Sequence, residues 1–198
     1  MTTFKNLADD ELVMMYAKGN NEAFDALLER HKDRLYNYIL FLVHNETIAE
    51  DLFQETFIKI ICRIQSGDYH AEGKFVSWMV RIAHNLVLDY HRDRQNTLVV
   101  SSEDTDYDIL NDRSLADECC ESQMVYQQTL VDIGRIAHLL PPTQSEIIQM
   151  RYYSGMSFKD IADTLGISIN TALGRVRYAL INMRRIAQEH NISLSTNA

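Results

Sequence analysis

Ser157-Phe158-Lys159-Asp160-Ile161-Ala162-Asp163-Thr164-Leu165-Gly166-Ile167-Ser168-Ile169-Asn170-Thr171-Ala172-Leu173-Gly174-Arg175-Val176-Arg177-Tyr178 reads as two helices joined by a tight turn. Ser157 followed three residues later by Asp160 is a helix-start signal, because a serine oxygen can accept a free N–H of the first turn. Ile161, Ala162 and Leu165 then form an apolar stripe at helical spacing. Gly166 permits the left-handed backbone that ends the first helix, and Ile167 plugs the corner. Ser168 caps a second helix predicted to run to about Gln188. Small side chains at Ala162 and Ala172 let the two helices cross closely, the arrangement of a helix-turn-helix.

The second helix presents Asn170, Thr171, Gly174, Arg175, Arg177 and Tyr178 in its first half, which such a helix inserts into a major groove. Helix pairs with a tight Gly turn also occur in bundles that bind no DNA. Here the basic run decides between them. No acid lies between Asp163 and Glu189, while Arg175, Arg177, Arg184 and Arg185 do. Upstream, a helix around 123–140 is broken by Pro141-Pro142, and Thr143-Gln144-Ser145-Glu146 has the form of a capping box that restarts it. Gly155 stops that helix.

The overall charge argues the other way until it is located. The chain has 198 residues with 19 Lys plus Arg against 28 Asp plus Glu, a net charge of −9. Residues 1–95 carry −4, residues 124–198 carry +2, and residues 96–123 carry −7 from eight acids against Arg113 alone. The acidic middle lacks a sustained helical period and is rich in Ser, Asp and Asn, so it reads as a linker. A solvated spacer is the plain reading of it; mimicry of nucleic-acid charge is the sharper one.

Before the linker the apolar spacing is helical again. Following Gly19-Asn20-Asn21, residues Phe24, Leu27, Leu28, His31, Leu35, Ile39 and Leu42 recur at helical spacing. Asn45 is placed to cap a second helix with Ala49, Leu52, Phe53, Thr56, Phe57, Ile60, Ile61 and Ile64 on its inner face, ended by Gly67. A polar loop, 68–74, leads to a third helix with inner residues Phe75, Trp78, Met79, Ile82, Leu86 and Tyr90. With a short helix near Glu11–Lys18, these form a bundle ending near Arg94. The predicted fold is therefore all-α: two small helical domains, 1–95 and 123–198, joined by an acidic linker, 96–122.

Two outward stripes carry the chemistry of the first domain. Glu50, Asp51, Gln54, Glu55 and Ile58 make a mostly acidic face with one apolar residue in it. Ser77, Arg81, Asn85 and Asp89 follow at one-turn steps, with His84, Leu88 and Arg92 beside them. Solvated surface is the ordinary use of such stripes. Arg and Asn at one-turn spacing are also what reading base edges requires, and Tyr69 and Trp78 offer flat faces to an unstacked base. Trp78 equally fits the inner stripe.

Other classes fare worse. The amino-terminal residues hold no apolar run of signal length, and the stretch near 37–43 is far too short to span a bilayer, so a cytoplasmic chain with no membrane insertion is expected. Cys62, Cys119 and Cys120 make no disulfide framework, and neither they nor the seven His residues show metal spacing, so no metal or cofactor is expected. No Gly-rich phosphate loop, nucleophile elbow or paired catalytic carboxylate appears, which disfavours an enzyme. A stand-alone helix-turn-helix repressor explains the C-terminal half, but not the acidic stripe, the Trp-Arg-Asn helix or the linker.

Asp10-Glu11-Leu12, Ala23-Phe24, Ala49-Glu50-Asp51-Leu52-Phe53-Gln54-Glu55-Thr56-Phe57, Phe75-Val76-Ser77-Trp78-Met79-Val80-Arg81-Ile82-Ala83-His84-Asn85 and the run from Leu140-Pro141-Pro142 to Arg175 together resemble a bacterial RNA polymerase sigma factor of the extracytoplasmic-function type. The resemblance covers nearly the whole chain. It implies docking of Glu50, Asp51, Gln54, Glu55 and Ile58 on the clamp helices of the polymerase β′ subunit, and of the second domain on the β flap. It implies recognition and melting of a promoter −10 element by loop 68–74 and the third helix, with Tyr69, Lys74, Trp78, Arg81 and Asn85 around the base pocket. It implies reading of the −35 duplex by Ser168, Asn170, Thr171, Arg175, Arg177 and Tyr178. An anti-sigma factor is the implied regulator, and the linker would thread channels that otherwise hold nucleic acid, which sets mimicry level with the spacer reading. The chain departs from the family pattern in a slightly long 67–75 loop, in Gly174 for a common Ser, and in Tyr178 where a cation is frequent.

Overall fold

The computed structural model describes residues 4, 6–70, 72–98, 136, 137 and 139–190, without the side chains of 95–98. The acidic linker, Cys119 and Cys120, and all but the end of the helix expected over 123–140 lie outside the described residues.

Helix α1 spans Asp9–Ala17 and starts two residues before the sequence suggests. Asp9, Asp10 and Glu11 in its first turn suit the positive end of the helix dipole, and Glu11 accepts the Ala8 N–H at 2.8 Å. Helix α2, Asn21–Val43, is capped by Asn20, whose side chain accepts from the Ala23 N–H. His44 ends it in the left-handed region. Helix α3, Glu46–Gln65, begins at the expected Asn45 cap, which accepts from the Ile48 N–H at 3.0 Å. Helix α4 runs Phe75–Leu98. Leu12, Leu27, Leu35, Ile39, Ile60 and Met79 fill the space between these four helices and are fully buried. Each such side chain contributes roughly 1.5–3 kcal/mol by leaving water.

Helix α5, Pro142–Ile148, corrects one expectation. Its cap is Pro141, with no side-chain hydrogen bond, so the Thr143–Glu146 capping box does not form. Pro142 takes the first helical position, where its missing N–H costs nothing, and this moves the start ahead of Thr143. The box residues act elsewhere: the Ser145 hydroxyl donates to the Ala137 carbonyl, and Gln144 accepts from the Asn182 amide at 2.8 Å. One π-helical turn, Gln149–Tyr153, extends α5 to the stop at Gly155.

Helix α6, Phe158–Leu165, and helix α7, Ile169–Glu189, form the expected pair. Ser157 and Ser168 each accept the N–H of the third residue on, Asp160 and Thr171, at 3.1 and 3.0 Å. Gly166 is left-handed with φ of 63°. Ala162 and Ala172 are buried at the crossing, and Ile167 packs on the core. Among the described residues there is no strand, and no helix is long and apolar enough to cross a membrane.

The two helical units touch. Helix α6 lies against α4, and the π-helical turn against α2. Tyr38 is buried with its hydroxyl 3.3 Å from His84 Nδ1, which in turn lies 3.2 Å from Glu146 Oε1. Burial pushes the Tyr38 phenol well above its ordinary pKa. His84, predicted beside the outward stripe of α4, is buried because α5 covers it.

Candidate nucleic-acid interface

On α7 the residues expected to face DNA share the side opposite the buried Ala172, Val176, Ala179 and Met183. Asn170, Thr171, Arg177 and Tyr178 are exposed, Tyr178 at 64%. Ser168 is exposed, but its hydroxyl is engaged with the Thr171 N–H and hydroxyl, so it serves the cap. Arg175 sits half-buried at the edge of the face. Five guanidinium donors on each arginine, aimed outward from a rigid helix, suit guanine edges and phosphates.

The second face is built by loop 68–74 and α4. Gly67 and Gly73 are both left-handed, with φ of 80° and 70°, and bracket the loop. The Tyr69 ring stands edge-on to Trp78, centroids 4.8 Å apart, and to Phe75 at 5.8 Å. Such T-shaped pairs contribute about 0.5–1.5 kcal/mol beyond burial. Trp78 is half-buried, so the inner stripe and the aromatic cluster share it. Lys74 joins this face, but Nζ lies 3.3 Å from Asp160 Oδ1 on α6. Ser77, expected on the outward stripe, is buried beneath the same carboxylate and donates to Oδ2 at 3.3 Å. Arg81 is half-buried, with Nε buried and lacking a hydrogen-bond partner, while Asn85 is exposed one turn further on.

Asp160 is the residue that sequence reasoning assigned too little. It closes the α6 cap through Ser157 at 2.6 Å and also holds Lys74 and Ser77. Burial alone would raise its carboxyl, but the hydrogen bonds from Ser157 and Lys74 outweigh that and hold it below the ordinary 3.8. The Ser-x-x-Asp spacing revealed only the local half of this role. Its other partners lie more than 80 residues away in sequence, where no periodicity points.

The third face is on α3. Glu50, Asp51, Gln54, Glu55 and Ile58 are all exposed, Ile58 at 60%. Glu55 pairs with Lys59 at 3.2 Å. A groove beside the stripe adds Tyr36 and Asn37 from α2, next to Phe53. Neither was singled out, since each reads as an ordinary position of an amphipathic helix. Among the described residues no His, Cys, Asp and Glu cluster is placed to hold a metal ion.

Residues 27–97 match the family description "Sigma-70 region 2", and residues 130–177 match "Sigma-70, region 4". The chain is 29% identical over 177 residues to the ECF RNA polymerase sigma factor SigE of Mycolicibacterium smegmatis, covering 89% of this chain and 66% of the relative. It is 33% identical over 157 residues to the ECF RNA polymerase sigma factor BldN of Streptomyces coelicolor, covering 79% of this chain and 57% of the relative. The chain thus spans about three fifths of the length of these two relatives. In fold it is similar to the sigma factor RpoE of Bartonella quintana, solved in complex with the anti-sigma factor NepR. That likeness has a TM-score of 0.66 at 20% identity and covers 83% of this chain and 96% of the other.

Proposed function

Since the chain belongs to the extracytoplasmic-function group of the sigma-70 family, we propose that it is a promoter-specificity subunit of RNA polymerase, acting in the cell interior without catalysis of its own. The observation that carries this reading is the set of three unlike faces on one chain. An acidic stripe with Ile58 suits a protein partner, an aromatic loop suits an unpaired base, and an arginine-bearing helix suits duplex DNA.

The α3 stripe docks on the clamp helices of the β′ subunit, and the second unit docks on the β flap. Loop 68–74 and α4 read and hold open the −10 element, with Tyr69, Lys74, Trp78, Arg81 and Asn85 lining the base site. Helix α7 reads the −35 duplex through Asn170, Thr171, Arg175, Arg177 and Tyr178. Capturing a flipped base by stacking and edge hydrogen bonds offsets unstacking, which costs a few kcal/mol. Polymerase supplies most phosphate contacts, which lets a chain of net charge −9 read DNA.

This reading requires the two units to part. Elements at −35 and −10 lie roughly 25 base pairs apart, about 85 Å at 3.4 Å per pair. In the structure Lys74 and Asp160 are 3.3 Å apart, so the closed chain cannot engage both elements at once. An anti-sigma factor is the expected regulator, in keeping with the complex known for the Bartonella relative.

The test is reconstitution with core RNA polymerase on a library of genomic fragments, followed by sequencing of transcript 5′ ends. New starts preceded by two short motifs at fixed spacing are expected. Unchanged starts would overturn the reading, as would tight binding to a palindromic duplex without polymerase.

A further inference from the structure

Asp10 lies on α1, ahead of the residues that match the region 2 description, and it touches the reading loop twice. Its Oδ1 accepts the Tyr69 hydroxyl, and its Oδ2 accepts the Gly73 N–H at 2.6 Å. One carboxylate thereby spans both ends of the loop that carries Tyr69 and Lys74. Charge-assisted bonds of this kind are about twice as strong as neutral ones. Burial and the Asp10 bond both push the Tyr69 phenol up, so it stays a proton donor.

The carboxylate is itself held rigidly. Leu12 and Val13 of α1 are buried in the core. Next to Asp10, Asp9 accepts from Arg30 and lies 2.9 Å from His31 Nε2. Arg30 also donates to the Leu7 and Phe4 carbonyls at 3.1 and 3.2 Å. The start of α1 is thus tied to α2, and Asp10 extends that tie to the loop. Other anchors of the loop among the described residues sit near its ends: the Asp68 N–H donates to the Arg63 carbonyl, the Ser66 hydroxyl to the Asp68 carboxylate, the Lys74 carbonyl receives the Trp78 N–H, and Lys74 Nζ pairs with Asp160.

We propose that Asp10 is a positioning residue for −10 selectivity: it fixes where the Tyr69 ring stands against Trp78 and where Lys74 emerges, without contacting DNA. The proposal rests on the promoter reading above and adds to it the element that shapes the base site.

Two measurements on Asp10→Ala and Asp10→Asn in the full chain test it. In the free protein, nuclear magnetic resonance follows amide exchange at Gly73. Asp10→Ala is expected to speed that exchange about tenfold and leave the α3 and α4 core amides unchanged. Asp10→Asn is expected to restore part of the protection, because an amide oxygen can take the Gly73 N–H while its NH2 meets the phenol oxygen. With core polymerase, initiation is then sequenced from a promoter library randomised across the −10 element. Base preferences there are expected to flatten about tenfold in Asp10→Ala and to recover partly in Asp10→Asn, with −35 preferences unchanged. A purely structural role would lower all initiation without altering base ratios, and that result overturns the proposal. Unchanged Gly73 exchange overturns it too. Absence of promoter-specific starts from the wild-type chain overturns the underlying promoter reading instead.

Discussion

The two reading faces differ in how the fold presents them. The α7 face is open: Asn170, Thr171, Arg177 and Tyr178 project from a helix whose cap and turn are local and whose core contacts lie within its own unit. The α4 face is half closed. Lys74 and Ser77 are held by Asp160 of the other unit, and His84 lies under Glu146. On the proposed reading, the difference teaches that a duplex-reading face is built within one motif, whereas the face proposed to capture a base is half covered by a tertiary contact. Breaking the gate and breaking the reader therefore have separable consequences.

The largest effect is expected at neither face. Asp51→Arg inverts the charge at the centre of the exposed α3 stripe, and like-charge juxtaposition at an interface costs several kcal/mol. Affinity for core polymerase, measured by fluorescence anisotropy, falls by more than about 100-fold, while the thermal midpoint stays unchanged. Normal polymerase affinity would remove α3 from the docking assignment.

Asp160→Ala comes next. It strips the shared acceptor from Ser157, Lys74 and Ser77, and the closed arrangement loses about 1–3 kcal/mol. Calorimetry should show a lower midpoint, with the loss concentrated in the contact between units. Initiation per bound polymerase is expected to hold steady or rise. A fall in initiation per bound polymerase would mean that Asp160 belongs to the reader and not to the gate.

Arg177→Ala addresses the open face. It removes about 1–3 kcal/mol of base discrimination if Arg177 reads a guanine edge, and it leaves stability unchanged because the side chain is exposed. The effect should appear only in −35 preferences from a randomised library. A change in −10 preferences would contradict the separation of the two faces.

The smallest effect is a pH dependence. Asp160 has a carboxyl pKa below its ordinary 3.8 in the folded chain. A depressed folded value contributes stability above the unfolded pKa and loses it as pH falls through the folded one. The Asp160 share of the contact between the units should be constant from neutral pH down to about 5 and weaken below about 4. Asp9, held low by His31 and Arg30 against the opposing effect of burial, has the same sign within the first unit. Comparing melting curves of wild type and Asp160→Ala across this range isolates the Asp160 share.

Most of the helical framework was legible because its signals are local. Asn20, Asn45, Ser157 and Ser168 cap through bonds spanning three residues, and Gly67 and Gly166 end helices by a backbone preference that needs no distant partner. The Thr143–Glu146 box misled because Pro142 starts the helix one residue earlier and frees Ser145 and Glu146 for tertiary bonds. The exposed residues of α3 and α7 were legible from amphipathic spacing. Burial of Ser77 and His84 was not, since the residues that cover them come from the far end of the chain. Asp10 was equally hidden: in sequence it is one of three acids at a helix start, and only the fold brings it 63 residues along to Gly73.

On the proposed function, the closed chain opens to reach two promoter elements. This opening is tested by the distance between fluorophores on Glu22→Cys of α2 and Gln188→Cys of α7, both exposed positions, after replacement of the three native cysteines. Energy transfer should be high in the free protein and collapse on formation of the complex with core polymerase and promoter DNA, as the DNA-reading faces separate toward about 85 Å. Promoter-specific initiation from a complex that keeps the free protein's transfer efficiency would contradict the account.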